Sequence, residues 1–132
     1  MLGHYLRFAA KAAAWVGCAL LLPASWVPRE DLIRTGLDGR GEHILAYALV
    51  SIAFVIGYPR WRWTVIFLGM SLYAGALEIG QMFFAGRQAA VADWMFSVLG
   101  NLLGGWCASV VFSRVVSHCT TTPASGEDDR VV

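Results

Sequence analysis

Residues 63–113 read WTVIFLGMSLYAGALEIGQMFFAGRQAAVADWMFSVLGNLLGGWCASVVFS, and the only charges in them are Glu78, Arg87 and Asp93. Windows 63–77 and 94–113 carry none. About 20 apolar residues in a helix cross a bilayer core, so this stretch predicts two membrane-spanning helices, about 61–84 and 90–113. The turn between them is Ala85-Gly86-Arg87-Gln88.

Working outward, the same pattern recurs. Windows 12–28 and 43–59 are also uncharged, predicting helices over about 6–26 and 42–58. Across all 132 residues 58% are hydrophobic and 14% charged, against roughly 45–50% and 25% in a soluble domain. The fold class that follows is all-α, an integral membrane four-helix bundle over residues 1–116. Proline at Tyr58-Pro59 stops the second helix. Arg60-Trp61-Arg62-Trp63 then places cations at headgroups and indoles at the membrane boundary, in a tight hairpin. Residues 28–42, opening at Pro28 with Gly36, Gly39 and Gly41, form a polar loop. Residues 117–132, rich in Ser, Thr and acids, have too little apolar surface to offset ordering and are expected to be a disordered tail.

The first segment has the outline of a signal peptide, with Arg7 and Lys11 before an apolar core and Pro23-Ala24-Ser25 after it. No clean small-x-small site ends the core, and Trp26-Val27 extends the apolar stretch, which favours a retained helix. Trp15-Val16-Gly17-Cys18 resembles a lipoprotein box only distantly, because the apolar core before it is very short. With four spans, Arg7, Lys11, Arg60, Arg62, Arg114 and Arg130 share one side, against Arg29, Arg34, Arg40 and Arg87 on the other. The positive-inside rule then puts both termini in the cytoplasm.

Several function classes are removed. A formal net charge of +1 offers no basic field for nucleic acid. Cys18, Cys107 and Cys119 have neither CxxC spacing nor histidines at ligand distance, so no metal site or cofactor is expected. Phosphate loops, HExxH helices and GxSxG elbows are absent from the sequence.

What remains is a set of polar residues that four apolar spans do not need. Ionisable groups in membrane helices cost about 2.5–3.5 kcal/mol each on insertion scales, so they face the bundle interior and mark function. His43 opens the second helix, Glu78 and Gln81 close the third, Arg87 occupies the turn, and Asp93 opens the fourth. Alternating helix directions bring all five to one membrane face, external on the orientation above. Helical stripes extend the set: His43, Tyr47 and Ser51; Ser71, Gly75, Glu78 and Gln81; Asp93, Ser97, Gly100 or Asn101, and Gly104. Small residues in these stripes allow close helix approach. The candidate ligand-binding cluster is therefore His43, Tyr47, Glu78, Gln81, Arg87, Asp93 and Asn101, lining a funnel toward mid-membrane. A purely structural account competes with it. An ion-pair network of Glu78, Arg87 and Asp93 would fix the last turn, Tyr47 would be a belt residue, Asn101 an interhelical bond, and Ser71 and Ser97 packing residues.

His43-x3-Tyr47, Glu78-x2-Gln81, Gly86-Arg87, Asp93, and then Gly100 and Gly104 together resemble the VanZ-like family of small bacterial membrane proteins over about residues 38–108. Two places depart: Gly39-Arg40 stands where the family commonly has Asp-Lys, and Ser97 where it has asparagine, with Asn101 one turn deeper. The resemblance implies a multi-span protein of the bacterial cytoplasmic membrane, in a family whose founding member is associated with resistance to the glycopeptide teicoplanin.

Three functions fit these residues. In the first, an envelope protein binds a lipid-linked or amphiphilic ligand, Arg87 pairing with its phosphate or carboxylate and Phe83, Phe84 and Trp94 meeting its apolar part. The second is an enzyme of lipid or cell-wall precursor metabolism, with His43 or Glu78 as acid or base and Arg87 stabilising negative charge. The third is a small transporter built as a homo-oligomer. The absence of an activated nucleophile or metal triad places binding ahead of catalysis.

Overall fold

The computed structural model describes residues 2–27, 39–84 and 89–120. They form the α-helices α1 (Leu2–Trp26), α2 (Gly39–Gly57), α3 (Trp63–Gln81) and α4 (Val91–Thr120). There is no strand among the described residues. Each helix contains a segment long and apolar enough to cross a membrane: Gly3–Trp26, Gly39–Gly57, Trp63–Gln81 and Val91–Phe112. The expected all-α, four-span architecture is what the chain adopts.

Helix bounds differ from the hydropathy windows in ways that have local causes. Tyr58 N–H still bonds Phe54 O, so the α2 ladder runs up to Pro59 and stops there. At the end of α3, Phe83 and Phe84 donate instead to Gly80 and Gln81. These tight three-residue steps leave both phenylalanines in a turn rather than in the expected helix to 84. α4 continues past 113 to Thr120, because residues 113–120 contain neither proline nor glycine and extending a helix needs no new nucleus. Residues 28–38 of the connector, the 85–88 turn and 121–132 of the expected tail lie outside the described residues.

Pro23 sits inside α1 and leaves the Ala19 carbonyl without its helical N–H, a loss that membrane helices tolerate through neighbouring groups and small local adjustments. Two residues on, Ser25 Oγ back-bonds to Leu21 O at 2.8 Å. α1 packs on α2 and α3. Val50 Cγ2 comes within 2.6 Å of where a Cβ on Gly17 would lie, and the Tyr73 hydroxyl donates to Cys18 O at 2.6 Å. Lys11 backbone atoms lie 3.0 and 3.2 Å from a Cβ built on Gly57. Residues 2–10 of α1 therefore run about 13 Å beyond the end of α2.

α2 is the centre of the bundle, packed against every other helix. Its closest partner is α4. A Cβ on Gly100 or Gly104 would stand 2.7 Å from the Cα of Ile44 or Ala48 respectively, and closer still to the carbonyl oxygen of that residue. Two glycines four apart thus let α4 lie backbone to backbone on α2, the small-residue packing that membrane helices use. Both contact pairs advance in the same direction, so α2 and α4 run parallel with their N-termini at one rim. The core below that rim holds Tyr47, Val50, Phe54, Ile66, Met70 and Ala74.

At the opposite rim, Trp15 Nε1 donates to Tyr58 Oη at 2.8 Å. Lys11 Nζ lies 5.1 Å from the Tyr58 ring centre, and Tyr58 packs on Trp61 at 5.0 Å. This aromatic and cationic girdle matches the boundary role expected of the Arg60-Trp61-Arg62-Trp63 turn.

Candidate functional site

The Gly100–Ile44 approach sets the geometry of the polar rim, because it brings the start of α4 within reach of His43, the residue before Ile44 on α2. His43 Nε2 lies 3.9 Å from Asp93 Oδ2, with side chains 30% and 14% exposed. Asp93 stands in the first turn of α4, where the helix dipole favours a carboxylate. On the other edge of the imidazole, His43 Nδ1 is 3.3 Å from Ser97 Oγ. Ser97 donates to the Asp93 backbone carbonyl at 2.9 Å, and its hydroxyl also lies within side-chain reach of Tyr47. Buried Ser97 thus holds both His43 and Tyr47 against α4.

The separation of 3.9 Å between Nε2 and Oδ2 exceeds a hydrogen bond, whose length is about 2.7–3.2 Å. One oxygen placed about 2.8 Å from each atom would bridge them. These two groups are the reachable part of the rim.

One turn deeper lies a closed layer. Ser51 Oγ donates to Asn101 Oδ1 at 2.6 Å. The Asn101 amide donates to Phe67 O at 2.8 Å and to Ser71 Oγ at 3.1 Å. Ser51 and Asn101 are 0% and 1% exposed, so this layer ties α2, α3 and α4 together and is sealed from ligand. Trp94 Nε1 adds a bond to Ser71 O at 3.1 Å, its indole resting over Gly75.

Glu78 and Gln81 close α3 at the same end and are both buried. Glu78 Oε1 accepts the Ala90 N–H, one residue before α4 begins. It therefore serves as a cap supplied from another helix for an orphan donor at that N-terminus. Among the described residues, neither Gln81 Oε1 nor Trp26 Nε1 has a hydrogen-bond partner. Trp26 ends α1, close over Gly80 and stacked on Phe84 at 4.8 Å.

Of the residues singled out in the sequence, His43, Tyr47 and Asp93 meet, Glu78 and Gln81 share their rim, and Asn101 belongs to the sealed layer beneath. Arg87 lies outside the described residues. Ser97 and Ser71, read from sequence as packing residues, carry hydrogen bonds that organise the site. Their signal was helical spacing: Ser97 one turn after Asp93, and Ser71 at the start of the stripe with Gly75, Glu78 and Gln81. Trp26 had no such signal, since nothing in the sequence shows what α1 will lean on. Among the described residues no three His, Cys, Asp or Glu side chains gather to hold a metal ion. The chain matches no protein-family model, curated protein or solved structure.

Proposed function

We propose that the protein binds the polar end of a lipid-linked or amphiphilic envelope ligand at the His43–Asp93 rim. The protein would sit in the bacterial cytoplasmic membrane with this rim outward and both termini inside. The carrying observation is the pair itself. Two partly exposed ionisable groups from α2 and α4 stand 3.9 Å apart at the mouth of the bundle. Their spacing fits one ligand oxygen between them. Phe83 and Trp94, both exposed, flank the rim with apolar surface for a hydrocarbon tail. The resemblance to VanZ-like proteins supports the same reading and extends it to a contribution to teicoplanin-type resistance.

Purified protein in nanodiscs, titrated with a polyprenyl phosphate and with a lipid-linked cell-wall precursor, tests the proposal. Binding of either probe that weakens about tenfold or more in His43→Ala and in Asp93→Asn supports it, the scale expected for hydrogen bonds to charged groups. Equal binding by wild type and both variants, or none by wild type, overturns it.

A second reading, acid–base catalysis on such a precursor, is favoured by His43 lying between Ser97 and Asp93, an orienting arrangement of the kind proton transfer needs. Within that reading His43 is a better candidate than Glu78, which is engaged with the Ala90 amide. Turnover of a labelled precursor, lost in His43→Gln but kept in Glu78→Gln, is its signature.

A further inference from the structure

Arg40, in the first turn of α2, places its guanidinium carbon over the Phe96 ring of α4, 5.5 Å from the ring centre. This contact is the top rung of the seam between the two helices. Arg40–Phe96, Ile44–Gly100 and Ala48–Gly104 advance four residues at a time on both sides, so backbone packing sets where the guanidinium stands. Arg40 and His43 are three apart on α2, and Asp93 and Phe96 are three apart on α4. Within each helix such side chains start about 5–6 Å from one another. Across the seam the gaps are 5.5 Å for Arg40–Phe96 and 3.9 Å for His43–Asp93. The four residues therefore close a quadrilateral, with the guanidinium on one side and the His43–Asp93 pair on the opposite one.

We propose that Arg40, laid on Phe96, is the anion-binding residue of this rim, and that the head it selects is a lipid-borne phosphate. The inference rests on the amphiphile-binding reading and names the head group. From sequence, Arg87 was the expected phosphate partner and Arg40 only one of the cations counted for topology. With Asp93 ionised, His43 and Asp93 together carry no net positive charge, so alone they give no preference for an anion over a neutral hydroxyl. Arg40 adds the charge that does. A phenyl face attracts a guanidinium without neutralising it, and takes none of the strong hydrogen bonds its fork of donors makes to two phosphate oxygens. The ring also holds a long side chain in place, which lowers the ordering cost of binding. Neighbouring acids do not spend the charge. Glu42 lies two residues on, a spacing at which helical side chains do not face each other, and Glu78 accepts the Ala90 amide. Arg40 is exposed, so a head group reaches it from the aqueous side of the rim.

The test uses full-length protein in nanodiscs of zwitterionic lipid, titrated with a polyprenyl phosphate and with the polyprenol of the same chain length, which differ only in the head. Wild type is expected to bind the phosphate about tenfold or more tighter than the alcohol, the scale of a charge-assisted pair, and added salt should narrow the difference. Arg40→Gln is expected to lose the preference while binding the alcohol as wild type does, which also shows the variant to be folded. Arg40→Lys, which keeps the charge without the fork, should recover part of it. Phe96→Leu, which keeps apolar bulk without the ring face, should lose about threefold in phosphate affinity. An unchanged phosphate-to-alcohol ratio in Arg40→Gln, or equal affinity of wild type for the two lipids, overturns the assignment. Either result leaves the His43–Asp93 reading standing where alcohol binding is still lost in His43→Ala. Inorganic phosphate in excess is expected to leave the lipid bound, and displacement by it would assign the cation to free phosphate and overturn the lipid-borne head. Binding of neither lipid by wild type ends the amphiphile reading and this inference with it.

Discussion

The Ser51 hydroxyl donates to the Asn101 side-chain oxygen at 2.6 Å, joining α2 to α4 at a point where both residues are sealed from solvent. Asn101 then spends its amide on α3, through Phe67 O and Ser71 Oγ. One side chain thus holds three helices in register directly beneath the exposed rim.

Asn101→Leu removes all three bonds and leaves Ser51 and Ser71 searching for partners. Interhelical bonds in membranes average about 0.6 kcal/mol, with a maximum near 1.7, so the loss is expected at about 1–3 kcal/mol in reversible unfolding by SDS. Ser51→Ala removes one bond and costs less. A double-mutant cycle between the two positions reads their coupling, and no coupling would contradict the geometry.

Gly100→Ala and Gly104→Ala push a methyl into the backbone of α2 at Ile44 and Ala48. Overpacking of this kind costs about 1–3 kcal/mol, and separating α2 from α4 also moves His43 away from Asp93. Both variants are expected to lose stability and ligand affinity together. Gly69→Ala is the control. A Cβ there meets nothing within 4 Å, and alanine gains up to about 1 kcal/mol of helix propensity, so thermal unfolding should show it equal to or above wild type.

Glu78 divides the structural account from the ligand account. If capping of Ala90 is its main contribution, Glu78→Gln, which still offers a carbonyl oxygen, should stay within about 1 kcal/mol of wild type. Glu78→Ala should lose about 1–2 kcal/mol as other caps do. A Glu78→Gln protein that is stable yet no longer binds the polyprenyl phosphate would instead assign the carboxylate to the ligand.

Orientation is open to direct labelling. On the proposed topology, in a background lacking native cysteines, Ala89→Cys reacts with an impermeant maleimide added to intact cells. Arg60→Cys reacts only after permeabilisation. The opposite pattern would turn the polar rim toward the cytoplasm and remove an external ligand from consideration.

The four spans were legible in residue order alone, because hydrocarbon thickness fixes how many uncharged residues a crossing helix needs, and windows such as 63–77 and 94–113 report that count without any tertiary knowledge. The common rim of His43, Glu78, Gln81 and Asp93 was legible for the same reason, since alternating directions decide which ends share a face. Periodicity even placed Ser97 between Asp93 and Asn101. It could not say that Ser97 would hold His43 and Tyr47, that Glu78 would cap α4, or that Asn101 would be closed off. Those outcomes depend on which helices touch and at what height, and that was decided by Gly100 and Gly104 lying on Ile44 and Ala48 and by Gly80 admitting Trp26. Hydropathy measures the preference of a segment for lipid over water, but within lipid the apolar faces are nearly equivalent, so only close steric fit and paired hydrogen bonds choose the neighbours.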